Sequence, residues 1–361
     1  HLSENRISIE EGKDKQVTAS LDNKFNLIND TVDSGNISYE TLNSEIATVG
    51  QDGTIHAKKM GTVEIIVTHQ ITHKTATIFV QVVPEGKVTV PKLEIGNTHS
   101  AALKADGTVW TWGNNSNGQL GTGNNTSKTS PIKVMNIQEV IDLSVGYYDT
   151  AVVKKDGTVW TWGYNGYGQL GLGDKSNRYK PTQINITDVV DIAAGNNHVL
   201  LVTKDGKVYS YGTNSYGQLG RDGNTLLPEE IPNLENIEKV AASNYHSMAL
   251  GKDGSVYTWG YNGNGQLGNG TTTNIYLPRK VLSLDNIVDV AVENGTIVAV
   301  NKQGEVYASG YNGYGNLGNN TTQDSTKFEK VIEKIDTTTT DTETTETPTY
   351  LTGVKSVTAG L

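Results

Sequence analysis

The stretch DGTVWTWGYNGYGQLGLG, residues 156–173, places Gly166, Gly168 and Gly171 in a G-x-G-x-x-G spacing straight after a β-branched and aromatic run. A glycine-rich turn of this kind cradles a dinucleotide pyrophosphate when a helix follows it and a carboxylate stands about 20 residues further on. Here the chain continues as LGDKSNRYKP, and Pro181 forbids an early helix. The stretch also recurs. DGTVWTWGNNSNGQLGTG starts at Asp106, DGKVYSYGTNSYGQLGRD at Asp205, DGSVYTWGYNGNGQLGNG at Asp253 and a weaker copy, QGEVYASGYNGYGNLGNN, at Gln303. Gly113, Gly163, Gly212, Gly260 and Gly310 therefore return about every 50 residues, and Ser116 and Ser215 replace the first glycine of the motif in two copies. A phosphate cradle on successive copies of one unit makes little chemical sense. The glycines read as tight bends between strands, where positive φ is needed.

Working outward, each unit has a regular front half. VIDLSVG (140–146), VVDIAAG (189–195), IEKVAAS (237–243) and IVDVAVE (287–293) are short apolar runs, each followed by a second run such as HVLLVTKDG or HSMALGKDG. The Asp-Gly pairs predict tight hairpin turns of the primed type. After the bend comes a polar loop, then Pro131, Pro181, Pro228 or Pro278 and another short strand. Four antiparallel strands per unit, with no amphipathic helix, read as blades of a β-propeller. Gln119, Gln169, Gln218 and Gln266 are expected to hydrogen-bond backbone within or between blades.

Composition narrows the function classes. The 361 residues include 40 Gly and 17 Tyr but no Cys, which removes a disulfide framework, a thiolate metal site and a cysteine nucleophile together. Lys plus Arg total 29 against 39 Asp plus Glu, a net charge of −10 without a basic stripe, so neither nucleic acid nor an anionic membrane is an expected partner. No apolar run approaches the roughly 20 residues that span a bilayer. The chain opens at His1 and ends at VTAGL, so any signal peptide or wall anchor would lie outside this window.

The repeats resemble the regulator of chromosome condensation repeat family, of which AGNNHVLLVTKDGKVYSYGTNSYGQLG (194–220) is a complete example. The likeness covers about residues 88 to 361 and implies a propeller of seven blades. Five units are visible, and VKSVTAG (354–360) opens a sixth. The fifth unit departs from the pattern with Ala308–Ser309 for Thr-Trp, Asn316 for Gln and a Thr-rich insertion at 336–350, read as a disordered, solvated tract. Residues 1–84 lack the period. SEIATVGQDGTIHAKKMGTVEIIVTH (44–69) alternates apolar and polar residues with turns at Asp52–Gly53 and Gly61, and KTATIFVQVV (74–83) reads as a last strand. Ile46–Ala47–Thr48–Val49, Gly53, Ala57 and Gly61–Thr62 resemble the signature of the bacterial immunoglobulin-like group 2 domain, with Tyr39 where that family often has Trp. The expected fold is all-β: a β-sandwich over 1–84 joined by PEGKVTVP (84–91) to a propeller over 85–361.

Three candidate chemistries follow. His99, His198 and His246 share one repeat position, held by Asp149 and Thr296 in other copies. They read as half-buried side chains bonded to the neighbouring blade, because their spacing is set by the repeat and not by a coordination sphere. His69 and His73 read as surface. No catalytic, metal-binding or cofactor-binding residue is expected. The tyrosines carry the candidate partner site. Tyr164, Tyr167, Tyr216, Tyr261, Tyr311 and Tyr314 lie in or beside the bends, and Tyr147, Tyr148 and Tyr245 follow a first strand. They either form an amphipathic recognition patch or pack between blades.

The expected function is non-catalytic protein or glycan binding or adhesion, by a monomer whose ligand is a protein or lies on a cell wall or host surface. The setting is a secreted or surface-displayed protein of a Gram-positive bacterium, with the propeller as platform and the sandwich as spacer. Resemblance to propeller-type β-lactamase inhibitory proteins implies enzyme inhibition as an alternative. Resemblance to the family's namesake implies guanine-nucleotide exchange on a host small GTPase.

Overall fold

The computed structural model describes residues 6–19, 36–59, 61–83, 89–293, 295–339 and 344–357. The chain divides into two compact units. One comprises residues 1–92 with 102–109 and 137–141; the other comprises 93–101, 110–136 and 142–361.

Two sheets form the N-terminal sandwich. The larger orders Arg6–Glu10, Thr75–Val83, Gly61–His69 and Ile37–Thr41; the smaller orders Asp14–Gln16, Thr54–Ala57 and Ala47–Val49. Arg6–Glu10 pairs parallel to Thr75–Val83, and the other pairs run antiparallel. Alternation in sequence becomes alternation in burial: Val63, Ile65 and Val67 point into a core with Ile55, Ile78 and Val80. Each such side chain stabilises the fold by about 1.5–3 kcal/mol. Tyr39 packs on that core. His69 departs from its surface reading: it is buried, and its Nδ1 accepts the Thr72 N–H at 3.2 Å.

From Lys92 onward the chain makes five successive four-stranded antiparallel sheets, and each is one repeat unit. The second strands of the third and fourth blades, His198–Thr203 and His246–Gly251, are buried along their whole length, whereas that of the first, His99–Leu103, alternates. A strand covered on both faces needs a continuous apolar run, which is why positions in the third and fourth blades do not alternate. The fourth strand is the outer edge. It tolerates Pro131, Pro181 and Pro278 because no further strand needs their missing N–H.

The Asp-Gly turns differ from the primed geometry expected for them. Only the glycine has positive φ, as at Gly107 (72°) and Gly157 (79°). Gly107 N–H donates to Lys104 O and Lys104 N–H to Thr108 O, both at 2.9 Å. The result is a three-residue loop, a type I turn followed by a left-handed glycine. Its cause is local: the Asp106 carboxylate accepts the Thr108 N–H at 3.0 Å and its hydroxyl at 2.6 Å.

Blades are joined by a recurring seam. Between the first and second, His99 Nε2 donates to Thr150 Oγ1 at 2.8 Å, and that hydroxyl donates to Gln119 O at 3.0 Å. Trp162 Nε1 donates to the same carbonyl at 2.9 Å. His198, Ser247, Gln218 O and Trp259 repeat the arrangement between the third and fourth blades. The fifth blade has Ser309 at the tryptophan position. Ser309 Oγ takes over the bond to Gln266 O at 2.8 Å, and Phe328 of the fourth strand fills the vacated volume beside Gly268.

A second ladder links the first strands: Asp142 accepts the Ile192 N–H, Asp191 the Val240 N–H and Asp289 the Val357 N–H. Val354 N–H donates to Gly304 O as Val140 N–H does to Gly107 O. Residues 354–357 thus enter as a first strand does; the rest of VKSVTAG lies outside the described residues.

The Thr-rich insertion is not a disordered tract. Ile332–Thr339 and Thr344–Tyr350 pair antiparallel, with Ile332 opposite Tyr350 and Thr339 opposite Thr344. Threonine is β-branched and favours extended backbone despite its polarity, and this preference prevails over low hydrophobicity here. Residues 340–343 lie outside the described set.

Candidate functional site

One end of the blades collects the turns between first and second strands, the glycine bends and the loops that follow them. Backbone bonds tie these together: Tyr164 N–H to Tyr148 O, Tyr261 N–H to Tyr245 O and Tyr311 N–H to Gly295 O, at 2.8–3.0 Å.

The loops are held by a residue that sequence reading passed over. Asn115, Asn165, Asn262 and Asn312 are fully buried, and Asn214 occupies the same position in the third copy. In each copy the side-chain oxygen accepts the leucine N–H five residues on, as Asn165 does from Leu170 at 2.9 Å. The amide nitrogen donates to loop carbonyls: Asn262 to Thr271 O and Thr273 O, Asn312 to Thr321 O and Gln323 O. The available signal was an asparagine at one position of all five copies while its neighbours vary. The glutamines behave as expected toward backbone. Gln169 Oε1 accepts the Tyr167 N–H at 3.1 Å, and Gln119, Gln218 and Gln266 accept equivalent bonds.

The glycines of the bend serve three purposes. Gly171 has φ +68, and a Cβ there would stand 3.0 Å from Tyr211 of the next blade. Gly168 likewise has positive φ and lies against Leu226. Gly166 has no such φ; a Cβ on it would overlap the Tyr164 hydroxyl at 2.1 Å. Gly263 and Gly313 lie under Tyr261 and Tyr311 in the same way. The copies with Ser116 and Ser215 carry Asn114 and Thr213 instead of tyrosine. The variable first glycine therefore tracks a tyrosine two residues earlier.

The nine candidate tyrosines form three groups, not one continuous patch. Tyr147, Tyr148, Tyr164 and Tyr167 make an edge-to-face series with centroids 4.5, 6.2 and 6.0 Å apart. Tyr216 contacts Tyr245 at 5.0 Å and Tyr261 at 5.3 Å across the third and fourth blades. Tyr311 and Tyr314 pair at 6.1 Å on the fifth. Most are half-buried, whereas Tyr167 is 52% and Tyr314 88% exposed. Both readings thus apply within one group: inner rings pack and outer rings face water. Desolvation, with Tyr147 beside it, pushes the Tyr148 phenol pKa up.

Two clefts open here. One of about 230 Å³ is lined by the first tyrosine group with Asn117, Asn196 and Asn197. The other, about 270 Å³, is bounded by the ends of the five first strands, including Asn97, Tyr147, Asn196, Asn244 and Glu293. Tyr147 and Asn196 belong to both, and Asn196 Oδ1 is buried without a hydrogen-bond partner among the described residues. A larger concavity of about 750 Å³ beside the Ile332–Ile335 segment has no aromatic lining.

The repeat histidines are fully buried, deeper than the half-buried state read from sequence. Burial lowers their pKa to about 4 for His99, 3 for His198 and 4 for His246, so all are neutral at pH 7. Among the described residues no cluster of His, Cys, Asp or Glu is arranged to hold a metal ion. Among the described residues no helix is long and apolar enough to cross a membrane.

Comparison with known proteins agrees with this architecture. Among solved structures the chain is similar to human WBSCR16, at 20% identity over 77% of this chain and 82% of that one, with a TM-score of 0.61. It is similar to yeast RCC1 (Prp20) bound to Kap60, at 21% identity over 77% and 72%, TM-score 0.61. Prp20p from Saccharomyces cerevisiae, described with its binding properties to Gsp1p and histones, matches at 20% identity over 78% and 77%, TM-score 0.60. No curated protein sequence matches the chain. Residues 1–80 match the model of the bacterial Ig-like domain (group 2), and residues 48–360 match that of the RCC1-like domain. Residues 48–80 fall in both matches, and their strands lie in the two N-terminal sheets. A match over most of the chain, with five blades that each repeat its strand order, means that the chain belongs to the RCC1-like domain family.

Proposed function

We propose that the protein is a non-catalytic recognition module in which the propeller is the binding platform and the sandwich over residues 1–84 is a spacer. The observation that carries this reading is the concentration of variable loops, clamped by buried asparagines, and of tyrosines at one end of the blades. Variable loops on a repeated, rigid frame are where recognition is carried, and half-exposed tyrosines supply contact area at low entropic cost. The N-terminal match supports an extracellular or cell-surface setting, and we place the protein on or outside a bacterial cell as a monomer.

The test is capture from cell-wall material and host extract by the intact chain and by a variant with Tyr164, Tyr167, Tyr216 and Tyr261 changed to Ala. Specific capture lost in the folded variant is expected; capture unchanged by it overturns the tyrosine site. Nucleotide exchange is the competing reading, supported by the fold it shares with yeast RCC1. A nucleotide-release assay on small GTPases separates the two: acceleration above the intrinsic rate favours exchange.

A further inference from the structure

We infer that the cleft between Tyr147, Tyr164, Tyr167 and Asn196 binds a neutral pyranose sugar residue, a step that rests on the recognition reading of the same face. Its size is the first reason. At about 230 Å³ it lies below the roughly 300–1,000 Å³ of pockets that enclose drug-sized ligands, and it matches a single ring.

Its lining is the second reason. A pyranose has a C–H face and a rim of hydroxyls, each both donor and acceptor. Tyrosine rings present electron-rich faces to C–H groups. Carboxamides answer hydroxyls with one acceptor and two donors in a plane. The lining holds those two chemistries and nothing else: four tyrosines and three asparagines, with no Lys, Arg, Asp or Glu. A carboxylated or phosphorylated sugar finds no cation there, and the chain carries a net charge of −10.

The third reason is an unmet acceptor. Among the described residues Asn196 Oδ1 has no hydrogen-bond partner, and a small shift of this half-buried side chain toward the cleft it lines lets that oxygen accept from a sugar hydroxyl. Asn197 beside it is already engaged, its Oδ1 accepting from Gln169 Nε2 at 3.2 Å, so its position is fixed. The tyrosine series leads outward from Tyr148 through Tyr164 to Tyr167, which is 52% exposed and forms the rim on which a ring stacks. A polyproline peptide would need an elongated aromatic groove. These rings instead stand edge-on to one another, at 74–79°, around a compact cleft.

The experiment is saturation-transfer NMR on the full chain with the methyl glycosides of glucose, galactose, mannose and N-acetylglucosamine, and with N-acetylneuraminic acid as the charged control. The expected result is transfer from at least one neutral glycoside with Kd on the order of 1 mM, and none from the charged sugar. Tyr167→Ala and Asn196→Leu should each weaken binding about tenfold or more, a change of ~1.4 kcal/mol. Tyr314→Ala, on the fifth blade and outside this cleft, should leave it unchanged. Absence of transfer from every neutral glycoside overturns the inference. So does a Kd left unchanged in Tyr167→Ala and Asn196→Leu, or equal transfer from N-acetylneuraminic acid. A protein partner whose capture is lost with Tyr167→Ala, without sugar transfer, removes the sugar and leaves the recognition platform standing. Loss of both signals removes both.

Discussion

The seam between the first and second blades and the seam between the second and third use the same repeat positions and fill them differently. In the first, His99, Thr150, Gln119 O and Trp162 form a network in which every bond has its partner except His99 Nδ1. In the second, Asp149 stands at the histidine position, Val199 at the hydroxyl position and Tyr211 at the tryptophan position. There Asp149 Oδ1 and the Tyr211 hydroxyl are buried without partners among the described residues. The backbone frame thus tolerates either filling, because blade geometry is set by the strands and the glycine bends. Whether a seam is electrostatically quiet depends on the side chains alone.

The largest change to this comparison comes from Trp162→Ala. The side chain is fully buried, and its loss should cost about 3–5 kcal/mol in urea unfolding. A cost below 1 kcal/mol would show that the seam closes around the cavity. Thr150→Val gives the first seam the chemistry of the second. It strands His99 Nε2, so a loss of about 1–3 kcal/mol is expected, with little change if the bond is dispensable. Gly166→Ala should cost a comparable ~1–3 kcal/mol by pushing Tyr164 from its place. In a Tyr164→Asn background the penalty should nearly vanish, and a double-mutant cycle showing additivity would break the link between the two residues.

The remaining effects are read in pH, and they are small near neutrality. The folded-state pKa of His99 is depressed from 6.5 to about 4 by burial. In that window the unfolded chain binds the proton and the folded chain does not. Stability therefore falls by about 1.4 kcal/mol per pH unit for this residue as pH drops from 6.5 toward 4. His99→Gln should remove that slope. Asp149 has the opposite sign. Burial raises its pKa well above 3.8, so its folded form retains the proton and its contribution is lost as pH rises above the unfolded value. Asp149→Asn should be more stable than the parent at pH 7.5 and converge on it toward pH 4. Parallel profiles for the two chains would show that Asp149 titrates normally.

Much of this protein could be read from the chain. The period, four strands per unit, hairpin positions and bend glycines are local patterns, and each copy states them again. The sandwich was legible in the same manner, from the alternation along 61–69. The turn type was not, because Asp106 selects it through a bond to Thr108 that competes with the primed geometry. The buried asparagines escaped notice because an exposed loop and a clamped one share the same polar composition. The Thr-rich tract also misled, since β-branching and polarity point in opposite directions and only strand pairing decides between them.

At the candidate site the division is sharper. Sequence alone determined that the tyrosines cluster near the bends, since a repeat returns each residue type to one position of the blade. Tertiary structure decided that they fall into three groups, that Gly166 makes room for a phenol ring and that Asn196 Oδ1 finds no partner among the described residues. Those outcomes depend on which residues of neighbouring blades meet across a seam. That juxtaposition joins positions about 50 residues apart and leaves no trace in local sequence.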